Sequence, residues 1–284
     1  MKQRIISGVI GAAFVIVALV LRDTFIFNIV IGAALVLAMI ESQFSTKLVR
    51  NTSLIVLNCV YAFISAFIPL FGFTPTGLLI TAIYILAVII LVLTDTKSAE
   101  IYQVFYGVGI TLFVSFGLTS VLHISNLYVT KDYMYESSDC LFFLLFALGG
   151  AWFGDIGAYF IGSRFGKHKI APNISPKKSL EGVLGGIGST VVCMLILALI
   201  WNFAVLDENS YVQFGWVILI SILCPVIGLV GDLFFSYIKR SVGIKDFGKI
   251  MPGHGGILDR VDSLILVAPF ISLALMYLPI IVHK

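Results

Sequence analysis

Charged residues are scarce in this sequence. Asp, Glu, Lys and Arg make up 12% of the 284 residues, and hydrophobic residues make up 60%. Soluble domains carry about twice that charged fraction, so the composition excludes a water-soluble domain and places the chain in a lipid bilayer. The formal net charge is only +3, and no nucleic-acid partner is expected.

The few cysteines lack the spacing of a zinc site or of a disulfide framework. None forms a Cys-x-x-Cys motif and three lie in apolar runs; they are Cys59, Cys140, Cys193 and Cys224. We therefore expect them to pack as small apolar side chains. A cleavable signal peptide is not expected either, because no small-residue cleavage pattern precedes Arg22 and Asp23.

Long apolar runs recur along the chain. A helix that crosses a hydrocarbon core of about 30 Å needs about 20 apolar residues. The sequence therefore predicts an all-α, polytopic integral membrane protein with about nine transmembrane helices, near residues 5–21, 24–40, 53–71, 77–94, 102–122, 141–163, 180–204, 214–238 and 261–282. We expect N-terminal transmembrane helices in residues 1–135 and a catalytic transmembrane region, with two cytoplasmic basic loops, in residues 136–284.

Lysine and arginine indicate the orientation of the chain. With a cytoplasmic N-terminus, fifteen of the 18 basic residues fall on the cytoplasmic side, and only Arg22, Lys131 and Lys284 fall outside. Because cytoplasmic loops carry an excess of Lys and Arg, this bias predicts that the N-terminus is inside and the C-terminus outside. The two most basic loops then lie on one face, and they can converge because two spans separate them.

The eighth predicted span carries an acid below two bases. Gly228, Asp232, Ser236 and the pair Lys239-Arg240 recur at helical spacing, so they share a helix face. At a rise of about 1.5 Å per residue, Asp232 lies about 10 Å below Lys239. A carboxylate at such depth usually faces a polar cavity. The alternative is that Asp232 pairs with a buried base, but no basic residue lies inside the spans.

The ninth predicted span carries two acids three residues apart. Asp259, Asp262 and Ser263 can face one way on a single helix. Two carboxylates on one face repel each other unless a cation or a proton lies between them, and oxygen ligands without Cys favour Mg²⁺ over zinc. The preceding turn, Pro252-Gly253-His254-Gly255-Gly256, has three glycines, which let backbone N–H groups approach an anion. We interpret His254 as a phosphate contact or a turn residue.

The loop after the sixth span holds five basic residues and no acid before Glu181. Its segment Ser175-Pro176-Lys177-Lys178-Ser179 runs into Glu181 and Gly182 at the start of a helix. Anions are favoured at a helix N-terminus, so the segment predicts phosphate binding, although a solvated basic loop is the alternative. Asp155, in the sixth span, is expected to add to the same polar cavity. Glu41 is interpreted as interfacial and is left out of the site.

These motifs resemble the phosphatidate cytidylyltransferase family, also called CDP-diacylglycerol synthase. The family's C-terminal pattern is present at Ser236, Lys239-Arg240, Lys245-Asp246, Pro252 to Gly256 and Asp259-Arg260-Val261-Asp262. A second family block stands at Asp155 to Tyr159, Ser175 to Lys178 and Glu181-Gly182. The resemblance covers residues 140–265. It implies that CTP and phosphatidic acid give CDP-diacylglycerol and pyrophosphate in phospholipid biosynthesis.

The resemblance also implies site residues. It gives Asp232 and Asp259 as ligands of Mg²⁺, with a K⁺ ion beside it. The residues expected in catalysis are Asp232, Asp259, Lys239, Arg240 and Asp262. Those expected to bind substrate are Asp155, Ser175, Lys177, Lys178, Glu181, Ser236, Lys245, Asp246, Gly253, His254, Gly255, Gly256 and Arg260.

Other functions remain open on the residues alone. Buried acids also mark ion-coupled transporters, although these often show paired repeats and no internal repeat is evident here. A CTP-dependent polyprenol kinase, or a cytidylyltransferase for another lipid phosphate, is the nearer alternative. The short loops favour a bacterial inner membrane with the site facing the cytoplasm. The oligomeric state is open, with a homodimer as one arrangement.

Overall fold

The computed structural model describes residues 2–71, 75–95, 100–129, 135–248, 250 and 255–283. Helices dominate this part of the chain. They are α1 (Lys2–Val20), α2 (Phe25–Ile40), a π-helix (Glu41–Ser45), α3 (Thr52–Ser65), α4 (Pro75–Thr94), α5 (Ile101–Ser125), α6 (Ser137–Phe165), α7 (Leu180–Ala204), α8 (Phe214–Ser241), α9 (Leu258–Val261) and α10 (Leu264–Tyr277), with short 3₁₀ turns at Ile68–Phe71 and Leu127–Val129. Two antiparallel pairs of short strands join β1 (Lys169–Ala171) to β2 (Ser175–Ser179) and β3 (Ser210–Val212) to β4 (Ile281–His283).

Within the described residues, seven helical segments are long and apolar enough to cross a membrane. They are Phe25–Ser45, Thr52–Leu70, Pro75–Thr94, Ile101–Ser125, Ser137–Phe165, Leu180–Ala204 and Phe214–Ser241. Two shorter apolar helices, Ser7–Val20 and Leu264–Tyr277, occupy the first and last predicted spans. The all-α membrane fold is therefore confirmed, whereas a count of nine spanning helices is not.

The chain forms two compact units, and the first comprises Met1–Leu122 and Ser241–Val261. Its apolar core contains the stacked rings of Tyr61 and Tyr84, whose centroids are 4.2 Å apart. A buried polar network crosses this core: the Tyr84 hydroxyl donates to Asn58 (2.8 Å), and Asn58 Nδ2 donates to Gln43 (3.0 Å). Because lipid tails are as apolar as the helices, the hydrophobic effect does not drive helices together in a membrane. Side-chain hydrogen bonds of this kind contribute to their association instead.

The second unit comprises His123–Arg240 and Asp262–Lys284. Small residues let α6 and α7 pack closely: a Cβ added at Gly186 would lie 2.7 Å from the carbonyl oxygen of Gly154. The Ser189 hydroxyl donates to the Phe153 carbonyl at 2.7 Å. Close backbone approach at small residues is typical of helices packed in membranes. The predicted division of the chain into N-terminal helices (residues 1–135) and a catalytic region (residues 136–284) stays a prediction.

The last predicted span is interrupted in the structure. Helix α9 ends at Val261, and α10 begins at Leu264 after a turn at Asp262 and Ser263. The Asp262 carboxylate accepts the neighbouring Ser263 N–H at 2.8 Å, a local bond that competes with helical hydrogen bonds. The expectation that Asp259, Asp262 and Ser263 lie on a single helix is therefore wrong. Asp259 belongs to the first unit, and Asp262 belongs to the second.

All four cysteines are free, as expected from their spacing. A cluster of polar side chains fastens the C-terminal strand of the second unit. His283 Nε2 lies 2.7 Å from the buried Asp139 carboxylate, and His283 Nδ1 lies 2.8 Å from the Ser210 hydroxyl. Asp139 also closes a capping box with Glu136 at the start of α6. Strand β4 is thereby tied to both β3 and α6.

Candidate active site

Asp232 lies on α8 within the second unit and has two side-chain partners there. The Ser236 hydroxyl, one helical turn further on, donates to Asp232 Oδ1 at 3.2 Å. This contact confirms that the two residues share a helix face. Lys178 Nζ forms an ion pair with Asp232 Oδ2.

The ion pair corrects part of the sequence interpretation. That interpretation looked for a base only inside the predicted spans, whereas Lys178 comes from strand β2. The alternative in which Asp232 pairs with a base is therefore the arrangement observed. The two side chains are partly exposed, 19% for Lys178 and 24% for Asp232, but the Lys178 Nζ atom itself is buried.

Two further acids lie with Asp232 in the second unit. The Ser263 hydroxyl donates to Asp155 Oδ2 at 3.0 Å, and Ser263 directly follows Asp262. Asp262 lies in the turn ahead of α10 and is 9% exposed. Lys239, on α8 of the same unit, is buried. The structure thus places Asp155 against Ser263, next to Asp262, while its predicted part in a substrate cavity stays a prediction.

The basic loop after α6 forms the β1–β2 hairpin and is fastened to the start of α7. Glu181 accepts hydrogen bonds from the backbone N–H groups of Lys167 (3.0 Å) and His168 (3.2 Å), and the His168 ring lies 2.6 Å away. The Ser179 side chain caps α7 by accepting the Gly182 N–H at 3.2 Å. The predicted substrate residue Glu181 therefore holds the hairpin's own backbone.

The hairpin also contacts the C-terminal end of α8. Arg240 Nε donates to the Ile174 carbonyl at 3.4 Å, in addition to the ion pair of Lys178. Ser175 pairs with Ala171 in the β ladder, and the Lys177 side chain is exposed. Lysines 177 and 178 thus differ: the first faces away from the protein, and the second faces an acid.

Asp259 lies in the first unit, where its carboxylate accepts backbone N–H groups from two described residues. Its Oδ2 accepts the N–H groups of Phe247 (2.8 Å) and Gly256 (3.0 Å). Gly255 has φ +86°, and a Cβ there would lie 2.9 Å from the same oxygen. Glycine was expected to let backbone N–H groups approach an anion, and in the structure the anion that Gly256 approaches is the carboxylate of Asp259.

Glu41 is the residue that sequence reasoning missed. It is 3% exposed, and its oxygens accept the N–H groups of Ile257 (3.1 Å) and Leu258 (2.9 Å) at the start of α9. The interpretation of Glu41 as only interfacial did not include this buried contact. The available signal was an acid at the end of an apolar run with no base in the adjacent turn.

The remaining residues predicted to bind substrate are either exposed or lie outside the residues that the structure describes. Lys245, Asp246 and Arg260 are exposed on the first unit. Gly253 and His254 lie outside the described residues, so their predicted contacts with phosphate stay predictions.

The donor atoms suit a hard cation. Within the described ranges, no group of three or more His, Cys, Asp or Glu side chains is close enough to hold a metal ion. Mg²⁺ usually takes only one or two protein carboxylates and fills its other positions with water and substrate phosphates. The Asp232 and Ser236 oxygens in the second unit, and the Asp259 carboxylate in the first, fit that chemistry.

Comparisons with known proteins extend over nearly the whole chain. The sequence profile of the cytidylyltransferase family matches residues 2–278. The chain is 33% identical to a phosphatidate cytidylyltransferase of Haemophilus influenzae over 96% of this chain and 97% of that protein. It is 35% identical to one of Bacillus subtilis over 95% and 96% of the two chains. A Staphylococcus haemolyticus enzyme of the same name is 42% identical over 52% of this chain and 55% of its own. The chain therefore belongs to the cytidylyltransferase family.

Proposed function

We propose that this protein is a phosphatidate cytidylyltransferase, which transfers CMP from CTP to phosphatidic acid. The observation that carries the proposal is the near full-length similarity to the Haemophilus influenzae enzyme of that name. The acids and bases of the candidate site support it, because they suit phosphates and a cation. Lys178 and Asp232 supply one charge of each sign next to each other.

The reaction is an in-line displacement at phosphorus. A phosphatidate oxygen forms a bond to the α-phosphorus of CTP, and the bond from that phosphorus to the bridging oxygen breaks as pyrophosphate leaves with the electron pair. Phosphate monoesters have a second pKa of about 6, so the attacking oxygen is already an anion at neutral pH. The protein therefore needs to orient the substrates and neutralise charge rather than supply a strong base.

The chain's own bases hold the phosphates in this proposal. Lys239, Arg240 and the Ser175–Lys178 segment neutralise the triphosphate, and Lys178 does so next to Asp232. Asp232 and Asp259 are the proposed ligands of Mg²⁺, with K⁺ beside it. When bound, Mg²⁺ spreads the charge that develops on the transferred phosphoryl group.

The proposal places the reaction at the cytoplasmic face of a bacterial inner membrane. It is supported by the basic residues, of which fifteen of 18 fall on the side of the N-terminus in the predicted nine-span arrangement, and by the bacterial sources of the relatives. CTP is available on that side, and the acyl chains of both lipids remain in the bilayer. A homodimer stays a prediction.

Identifying the products of the reaction tests this function. Purified protein in detergent micelles is incubated with CTP, Mg²⁺ and phosphatidic acid, and pyrophosphate and CDP-diacylglycerol are measured together. We expect equal amounts of both products. Release of CDP instead would indicate a CTP-dependent kinase, and the absence of any CTP turnover would favour a transporter; either result would overturn the proposal.

A further inference from the structure

We propose that Glu41 is a positioning residue that holds the start of α9 and, through it, the carboxylate of Asp259. The inference rests on the proposed function, because it gives Glu41 a part in the same reaction. Glu41 is separated by 216 residues from Ile257, whose N–H it binds. All residues of the contact lie within the first unit.

The contact is buried and uses both oxygens of the carboxylate. Oε1 accepts the Ile257 N–H at 3.1 Å, and Oε2 accepts the Leu258 N–H at 2.9 Å. Leu258 is fully buried, and Glu41 is 3% exposed. Hydrogen bonds from neutral donors to a charged acceptor are stronger than those between neutral groups, so this contact restrains the two peptide units firmly.

Helix α9 needs such support because it has only four residues. A helix this short does not recover the cost of its first turn, so its stability must come from contacts outside it. The Gly256 N–H binds Asp259, and the next two N–H groups bind Glu41. Two carboxylates therefore bind three successive N–H groups, and a shift of Glu41 alters the backbone on which Asp259 is carried.

Two described glycines leave space for the Glu41 side chain. A Cβ added at Gly248 or at Gly256 would overlap the Glu41 carboxylate. Neither glycine has a positive φ, so the close approach of Glu41, rather than the backbone conformation, explains the absence of a side chain at both positions. The glycines of this segment thus serve the acid at residue 41 as well as Asp259.

The start of the π-helix also fixes where Glu41 lies. The π-helix spans Glu41–Ser45, and such insertions in helices are frequent at functional sites. Two residues after Glu41, the Gln43 amide donates to Thr111 Oγ1 at 3.1 Å and accepts from Asn58 at 3.0 Å. These buried bonds anchor the π-helix to α5 and α3, so Glu41 is presented from a rigid element.

Glu41→Gln tests the proposal, and Glu208→Gln is the matched control because Glu208 is exposed in the turn after α7. The glutamine has the same shape but turns an N–H₂ donor toward a backbone N–H, so one bond is lost and a donor is left facing a donor. We expect kcat to fall about 10- to 100-fold, since small misplacements of catalytic groups have effects of that size, with the KM for CTP nearly unchanged. The control is expected to match the wild type.

Hydrogen exchange provides a readout that does not depend on activity. We expect the amide protons of residues 255–261 to exchange at least about tenfold faster in Glu41→Gln, with other segments unchanged. Unchanged exchange there would overturn the contact, and faster exchange with wild-type kcat would overturn the positioning role. A wild type without cytidylyltransferase activity would overturn the proposed function instead, while exchange would still report the contact.

A second variant covers the case in which Glu41→Gln does not fold. Gly248→Ala keeps Glu41 but places a methyl group against its carboxylate. We expect the same fall in kcat and the same faster exchange in residues 255–261. A Gly248→Ala enzyme with both properties at wild-type values would overturn the proposal.

Discussion

Lys178 of strand β2 forms an ion pair with Asp232 of helix α8. The pair joins the basic hairpin to the helix that carries the candidate metal ligand, and both side chains stay partly exposed. We assign the pair a role in arranging charge at the candidate site. The adjacent Lys177 is exposed and has no such role.

The two lysines are expected to behave differently when they are replaced. Lys178→Met removes the base beside Asp232 and leaves that carboxylate without its cation, so we expect kcat to fall and the KM for CTP to rise. Lys177→Met removes only a side chain that is available for the triphosphate, so we expect a higher KM for CTP with little change in kcat. Steady-state kinetics at saturating phosphatidic acid separates the two. Equal effects of both substitutions would contradict the difference that the structure shows.

Asp232→Asn and Asp259→Asn are expected to abolish turnover while the protein remains folded. An amide binds Mg²⁺ more weakly than a carboxylate, because it contributes no charge. Exposed Asp207 provides the control Asp207→Asn. Formation of CDP-diacylglycerol is measured, and size-exclusion chromatography in detergent monitors the fold. Retention of more than about a tenth of the activity would remove the substituted acid from the proposed Mg²⁺ site.

Metal removal tests the same site without a substitution. Chelation is expected to stop CDP-diacylglycerol formation, and added Mg²⁺ is expected to restore it, because the triphosphate and the acids otherwise repel each other. Zn²⁺ is expected to restore less, since the described acids and hydroxyls are hard oxygen donors. Replacing K⁺ by a large organic cation tests whether the proposed K⁺ ion contributes to the activity. Full activity in chelator would contradict the proposed role of Mg²⁺.

Local sequence patterns predicted much of the fold and part of the site. Apolar runs gave the positions of the helices, because each span must satisfy its backbone hydrogen bonds internally. The four-residue spacing of Asp232 and Ser236 predicted their shared face, and Ser179 before Glu181 marked the start of α7. These features depend on neighbours within one or two helical turns.

The features that were missed depend on residues far apart in the sequence. Lys178 and Asp232 are brought together by a hairpin that hydrophobic periodicity does not reveal. The contact of Glu41 with Ile257 and Leu258 joins two segments separated by most of the chain. The turn at Asp262 arises from a side-chain bond to the next N–H, which the apolar pattern of the last span does not indicate.

Gly255→Ala is expected to weaken both the fold and the activity. Gly255 has φ +86°, which costs a residue with a Cβ about 1–2 kcal/mol, and the added atom would press on the Asp259 carboxylate. Gly188→Ala in α7 is the control, because nothing lies within 4 Å of its Cβ position and alanine favours a helix. Thermal unfolding in detergent and CDP-diacylglycerol formation are measured for both variants. We expect Gly255→Ala to lower the unfolding temperature and kcat, and Gly188→Ala to retain both. If Gly255→Ala behaved like Gly188→Ala, the turn would not need the left-handed backbone conformation to hold Asp259.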